Sequence, residues 1–444
     1  MNIINEFDTI AAISTPMGFG GVGVVRISGD KALDIISKIF KGQKLENHKV
    51  SHGWIMDGEV ALDEVIVLYF KNPQSYTGED VVEIQCHGGV NIVKNILNLV
   101  LRTGARMAER GEFTKRAFLN KKMDLSQAEA VCDLIHSKCD NFSTTAVKNL
   151  KGKLSERVYE IKKEVFDILS KIIAGIDFPE EVVEPEYSLL IETFENIIKE
   201  IDEVLRYSNT SNILRQGIKV AIVGKPNVGK SSIFNRLLNI DRAIVTNIAG
   251  TTRDVLHETL DLGIPVTLID TAGIRDENDV DKVEEIGINY SKQSIEQADL
   301  SIFVYDINQG IQEEDQMILD LLKGRKHLVI ANKTDLAGKK DENVYNLSAE
   351  TREGLEELRE AIKNIVCEIS PENLDYVTNT RQTNCLERAK NALDRALVAS
   401  REGQIQDLIS IDVKDALLSL DEVTGEVITD DILNNIFEHF CIGK

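Results

Sequence analysis

No two of the six cysteines, at positions 86, 132, 139, 367, 385 and 441, stand in C-x-x-C spacing. That excludes a zinc ribbon or a disulfide framework, fits a reducing compartment, and sets the expectation of a cytoplasmic protein. Bases are also scarce, 51 Lys and Arg against 73 Asp and Glu, a formal charge of −22. A chain so acidic does not coat nucleic acid through a general basic surface, which leaves only a local patch for that role. No apolar run approaches the roughly 18 residues needed to cross a bilayer, so no membrane partner is expected. The first thirty residues lack a basic start followed by an apolar core, and no secretory signal is expected. What remains is ordinary for a soluble globular protein: 43% apolar and 28% charged residues. At roughly 100–200 residues per domain, 444 residues suggest about two to four domains.

Texture changes along the chain. Residues 1–120 are rich in glycine and β-branched residues, with alternating stretches at Val22–Ile27 and Val65–Phe70, and read as a mixed α/β domain. Residues 121–215 turn helical. Val158, Ile161, Val165, Leu169, Ile172 and Ile176 form one apolar stripe, and Leu190, Phe194, Ile197, Ile201 and Val204 form a second. Between them the acidic, proline-bearing stretch Asp177–Pro185 interrupts the pattern. Residues 216–370 alternate short apolar runs with helical patterns, as βαβ units do. Residues 371–444 are helical again. Either three or four domains follow in series, or one helical domain is interrupted by an inserted α/β domain. There is no internal repeat and no low-complexity tract.

The strongest signal is Gly224-Lys-Pro-Asn-Val-Gly-Lys-Ser231, a G-x-x-x-x-G-K-[ST] loop between the apolar run Ile218–Val223 and the helical pattern Ser231–Leu238. Glycines let backbone N–H groups wrap phosphates, Lys230 supplies a point charge to the β- and γ-phosphates, and the Ser231 hydroxyl ligates Mg²⁺. Asn227, Val228, Gly229, Lys230, Ser231 and Ser232 are therefore candidate nucleotide contacts. Asp270, Thr271, Ala272 and Gly273 end an apolar strand as D-x-x-G, where Asp270 can hold Mg²⁺ through water and Gly273 N–H can sense a γ-phosphate. Asn332, Lys333 and Asp335 form N-K-x-D, whose carboxylate accepts two N–H bonds from guanine; adenine lacks that donor pair. Ser348 and Ala349 close the base pocket. Between loop and D-x-x-G lie Thr246, Asn247, Ile248, Ala249, Gly250, Thr251 and Thr252. A threonine of this segment, assigned as Thr252, completes the Mg²⁺ shell only when a γ-phosphate is present, which makes a switch. These motifs stand in the order of a P-loop GTPase. Ile274 occupies the position where Ras-like proteins carry a water-positioning Gln, so the water must be oriented otherwise. The acid-rich stretch Asp276–Glu285 could supply a carboxylate.

Asn227 in the loop and T-N-I-A-G-T-T-R-D in the switch resemble the TrmE-Era-EngA-type GTPases. Further strings sharpen this: Gly20–Gly29, Ser75–Asp80, Arg110–Asn120 and the final Phe440-Cys-Ile-Gly-Lys444. Over essentially the whole chain it resembles the MnmE (TrmE) family of tRNA uridine-modifying GTPases. The resemblance implies a multidomain α/β plus α architecture. An N-terminal α+β domain (1–120) binds folate and mediates homodimerisation. A helical domain (121–215 and 371–444) surrounds an inserted Ras-like P-loop GTPase domain of α/β type (216–370). It implies GTP, Mg²⁺ and K⁺, and a reduced folate, 5-formyl- or 5,10-methylene-tetrahydrofolate. It implies tRNA as substrate and a flavoprotein partner, MnmG (GidA), that brings FAD and NADH in a heterotetramer. Together these install a (carboxymethyl)aminomethyl group on C5 of the wobble uridine, U34. By the same resemblance Arg26, Glu83, Lys122 and Lys444 hold the folate, Cys441 serves the modification reaction, and Glu284 orients the hydrolytic water. Asn227, Thr246, Ile248 and Thr251 cage the potassium ion.

Gly18-x-Gly20-x-x-Gly23 fits a dinucleotide fingerprint on paper, but a strand-like stretch follows it where a helix should begin, so a tight turn is expected. Arg102, Arg106, Arg110, Lys115, Arg116, Lys121 and Lys122 are the one run where bases dominate, either phosphate-facing or a solvated face. Two rival classes, a ribosome-assembly GTPase and a membrane-remodelling GTPase, lack here the appended KH-type module and the basic amphipathic helix they would need.

Overall fold

A computed structural model describes residues 8–240, 259–269, 292, 294–338, 340–367 and 370–444. Two compact units emerge, Met1–Cys132 with Asp421–Lys444, and Asp133–Leu420. The last 24 residues group with the N-terminal sheet.

The first unit is built on a seven-stranded sheet in the order β3-β4-β5-β6-β2-β1-β7. Its strands are β1 (Ile10–Ile13), β2 (Val22–Ser28), β3 (Phe40–Gly42), β4 (Val50–Asp57), β5 (Val60–Phe70), β6 (Val81–His87) and β7 (Arg106–Met107). All neighbours are antiparallel except β1 and β7. Alternation along β2 sends Val25 and Ile27 into the core and leaves Val24 and Arg26 on the other face, the period-two consequence of the pleat. Helices α1 (Ala32–Ile39) and α2 (Val90–Thr103) cover the core face, burying Ile36 and Ile96 against Val67, Val82 and Ile84. On the opposite face Ile10, Ala12 and Ala108 pack with Phe113 of α3 (Glu112–Leu119) and with Tyr76. Gly23 lies inside β2, with no helix following it, so the glycine spacing there is no dinucleotide loop. α4 (Leu125–His136) follows.

The second unit holds α5 (Asp140–Leu150), α6 (Lys153–Asp177), α7 (Tyr187–Leu205) and α8 (Ser208–Gln216). The two apolar stripes become the buried faces of α6 and α7, save that Ile176 is half-buried. A six-stranded sheet follows, ordered β13-β12-β11-β8-β10-β9. Its strands are β8 (Ile218–Val223), β9 (Thr259–Asp261), β10 (Pro265–Ile269), β11 (Leu300–Asp306), β12 (His327–Asn332) and β13 (Tyr345–Leu347); all are parallel except β9. β11 is buried at every residue, as a central parallel strand covered on both faces must be. The helix Thr380–Arg401 packs along α7, with Lys390 on Asp202 at 2.6 Å and Arg401 on Glu195 at 2.5 Å. Those two bridges run in opposite chain directions, so the helices are antiparallel. Helical segments before and after the parallel sheet therefore meet in space. No helix among the described residues is long and apolar enough to cross a membrane.

Candidate functional site

The parallel sheet positions a phosphate loop. β8 ends at Val223, and α9 (Lys230–Ile240) begins six residues after Gly224. Gly224, Asn227 and Gly229 take φ of 147°, 63° and 100°. Such alternation turns successive N–H groups inward and makes an anion-binding concavity at a helix N-terminus. Glycine is required twice: a Cβ at 224 would strike the Val304 carbonyl, and one at 229 would strike the Asn332 amide. Asparagine is among the few residues that tolerate the left-handed conformation at 227. Lys230 Nζ is held by the carbonyls of Gly224 at 2.7 Å and Lys225 at 2.6 Å, which sets its charge across the loop. Asn227, Ser231 and Ser232 are exposed, and their side chains have no hydrogen-bond partner among the described residues. An open hydroxyl suits Mg²⁺ and an open amide oxygen suits a monovalent cation, so both donors fit hard cations.

The base end is tied to this loop. Asn332, buried at the end of β12, donates from Nδ2 to the Val228 carbonyl at 2.8 Å and accepts from Ala349 N–H at 3.3 Å. Lys333 is left-handed, with φ of 66°, and its Nζ pairs with Asp306 at 2.8 Å. Asp335 is exposed, and its Oδ1 accepts from the Ser348 hydroxyl at 2.6 Å, leaving Oδ2 for N–H donors. One contributor carries no motif: Arg236 of α9 donates from Nε to the Ala349 carbonyl at 2.8 Å and so anchors the base loop to the phosphate-loop helix. Thr246, Asn247, Ile248, Ala249, Gly250, Thr251, Thr252, Asp270, Thr271, Ala272, Gly273 and Glu284 lie outside the described residues.

A second constellation sits on the open face of the seven-stranded sheet. Arg26 and Glu83 are cross-strand partners on β2 and β6. Arg26 reaches Glu83 Oε1 with both Nε (2.9 Å) and Nη2 (2.8 Å), and Oε2 keeps no partner among the described residues. The guanidinium lies 5.5 Å from the Tyr76 ring centre and 5.6 Å from that of Phe113, and Nη1 donates to the Gly443 carbonyl at 3.2 Å. Burial, reinforced by Arg26, pushes the Lys444 ammonium below its ordinary value; Glu83 and Cys441 pull the other way. Arg26, Glu83, Lys444 and Cys441 are thus gathered together, and a carboxylate with a free oxygen beside cations fits a pterin-like ring bearing an anionic tail. Lys122 donates from Nζ to the Pro73 carbonyl at 2.9 Å.

The basic run divides in two. Arg102 pairs with Asp57, Arg106 with Asp8 and Glu112, and buried Arg116 with Glu79 and Glu112. Arg110 and Lys115 instead meet neutral acceptors, the Glu438 carbonyl and Asn434 Oδ1. Three of the seven bases, Arg102, Arg106 and Arg116, are thus paired with acids, and one of those acids, Glu112, lies within the run itself.

The family model for the MnmE helical domain matches residues 125–441, and the model for the GTP-binding protein TrmE N-terminus matches residues 9–122. A tRNA modification GTPase MnmE from Thermoanaerobacter pseudethanolicus is 46% identical over 460 residues, covering 99% of this chain and 100% of the relative. The protein of the same description from Thermotoga maritima is 43% identical over 451 residues, covering 98% and 100%. Among solved structures, the G domain of the T. maritima FeoB iron transporter is 30% identical with a TM-score of 0.25, covering 33% of this chain and 98% of that one.

Proposed function

The chain belongs to the MnmE (TrmE) family of tRNA modification GTPases, and from that premise we propose that it acts with a flavoprotein, MnmG (GidA), on the wobble uridine of certain tRNAs. It is a GTP-hydrolysing enzyme of tRNA modification. The finer reading is that a homodimer joins MnmG in a heterotetramer and adds a (carboxymethyl)aminomethyl group to C5 of U34. FAD and NADH come with the partner. A reduced folate, as 5,10-methylene-tetrahydrofolate, is the one-carbon source. The folate part is assigned to 1–120, the helical parts to 121–215 and 371–444, and the GTPase part to 216–370.

The observation that carries the reading is the cluster of Arg26, Glu83 and Lys444 beside Cys441. An assembly switch that only hydrolyses GTP has no use for a thiol and a part-paired carboxylate far in sequence from its phosphate loop. In the GTPase part, Lys230 and the loop N–H groups bind the phosphates, Asp335 selects guanine, and Ser231 and Thr252 hold Mg²⁺. Asn227, Thr246, Ile248 and Thr251 hold K⁺. Mg²⁺ and K⁺, when bound, supply positive charge where the β–γ bridge gains negative charge. Glu284 orients the attacking water in place of the glutamine that Ile274 replaces. At the folate site Glu83 accepts the ring's N–H donors, while Lys122 and Lys444 face the anionic end; Arg26 is already committed to Glu83 and Gly443.

Mass spectrometry of wobble-uridine nucleosides in tRNA tests this. Cells lacking the protein are expected to lose the C5-modified uridines, and an unchanged nucleoside profile sinks the reading.

A further inference from the structure

The four residues 441–444 do not trail from the last helix. They are tied back to residues 110–113 and to Ser14 and Arg26 beside the seven-stranded sheet. Gly111 N–H donates to the Cys441 carbonyl at 3.3 Å, and Phe113 N–H donates to the Lys444 carbonyl at 3.2 Å. Ile442 bridges Arg110 in antiparallel fashion. Gly443 is the tightest point. Its φ is 95°, and a Cβ there would run into the Ile13 carbonyl, so only glycine passes. Its carbonyl accepts two bonds, from the Ser14 hydroxyl at 3.1 Å and from Arg26 Nη1 at 3.2 Å. Upstream, Phe437 and Phe440 are buried, and Gly111 leaves room for them where a Cβ would collide with both.

These contacts form a chain of dependence. Gly443 fixes one end of the Arg26 guanidinium. The other end then meets Glu83 through a single oxygen, and the second oxygen stays open. Without Gly443, Arg26 Nη1 loses its acceptor, and the guanidinium is free to turn and take both carboxylate oxygens in the forked geometry that arginine prefers.

We propose that Gly443 and Ser14 are positioning residues for the Arg26–Glu83 pair, and that seating of residues 441–444 and binding of a ligand bearing paired N–H donors at Glu83 are thermodynamically linked. The ligand's class, a reduced folate, rests on the reading above; the link between tail and Arg26 does not. Reciprocity follows: whatever the seated tail adds to ligand affinity, the ligand returns to tail seating. Cys441, carried on the tail, is then held in place when the pocket is filled.

The test uses the full chain and needs two arms. In the ligand-free arm, hydrogen–deuterium exchange is followed in the segment 109–114, whose Gly111 and Phe113 amides report the tail and not the ligand. Arg26→Gln, Gly443→Ala and Ser14→Ala are each expected to speed that exchange, whereas Ser14→Thr, which keeps the hydroxyl, is expected to leave it near wild type. Unchanged exchange in both Arg26→Gln and Gly443→Ala overturns the link. In the ligand arm, 5-formyl-tetrahydrofolate is titrated calorimetrically. The ligand is expected to slow exchange at 109–114 in the wild type, and Gly443→Ala is expected to bind about tenfold more weakly, the scale of one hydrogen bond to a charged group. Wild-type affinity in Gly443→Ala, or bound folate with unaltered exchange, overturns the positioning role. No binding by the wild type overturns the folate reading, while the first arm still decides the link between Arg26 and the tail.

Discussion

Glu112 shows what a single side chain can hold together. It is buried, and it accepts from Arg106 at 2.7 and 2.9 Å, from Arg116 at 3.0 Å and from Glu109 N–H at 2.8 Å. Burial pushes its carboxyl upward, but the bonds from Arg106 and the Glu109 amide outweigh that, and the net position is below the ordinary 4.5. A carboxyl depressed in the folded state stabilises fully above its unfolded value and loses that contribution as pH falls through the folded one. Glu112→Gln is therefore expected to destabilise by about 3 kcal/mol at neutral pH, since it leaves buried Arg116 half-paired. Thermal melts of both proteins should converge below pH ~4.5, and a gap that persists at low pH removes the charge from the explanation. The cysteines differ as sharply. Burial pushes Cys86 up to about 11 and Cys139 up to about 12, while Cys441 is exposed. Thiolates being the reactive form, mass-resolved alkylation at pH 8 should label Cys441 well before Cys86 or Cys139. Cys441→Ser should keep GTP hydrolysis and abolish tRNA modification; normal modified-nucleoside levels in cells carrying only that variant would take Cys441 out of the site.

At the level of the element, the phosphate loop sets Asn227 as its candidate potassium ligand. That residue is left-handed, so Asn227→Ala would combine loss of the side chain with backbone strain of about 1–2 kcal/mol. Asn227→Gly removes the amide and keeps the conformation. It is expected to bind GTP within about threefold of wild type and to lose the faster turnover in K⁺ over Na⁺ at equal ionic strength. Steady-state rates in the two salts decide it, and equal wild-type rates in both would leave an arginine as the source of counter-charge. The loop was legible in the sequence because its chemistry forces residue types at fixed spacing: glycine where a Cβ has no room, lysine and serine at the helix start. Arg236 was not legible. Its bond to Ala349 spans 113 positions, and no local rule relates an arginine in a helix to a carbonyl that distant.

At the scale of the whole molecule, hydrolysis and association should be coupled if the potassium cage closes only when two GTPase parts meet. Light scattering with GDP–aluminium fluoride is expected to show K⁺-dependent association in the wild type. Glu284→Ala should lose hydrolysis and keep that association; a variant that loses both would place Glu284 in the contact and not on the water. The alternating strands, the stripes of α6 and α7, the phosphate loop and the N-K-x-D strand end can be read from the chain alone, because each is a local matter of period, propensity or a few residues in a row. Which distant residues meet is a matter of folding in three dimensions. Folding paired the helix Thr380–Arg401 with α7 across an intervening sheet. It paired Arg102, Arg106 and Arg116 of the basic run with acids and set Arg110 and Lys115 on neutral acceptors. It also turned four residues at position 441 and beyond into the support of Arg26 on β2. The helix and tail contacts depend on burial and register between segments 188 positions apart for Lys390 and Asp202 and 417 for Arg26 and Gly443, and sequence spacing carries no record of them.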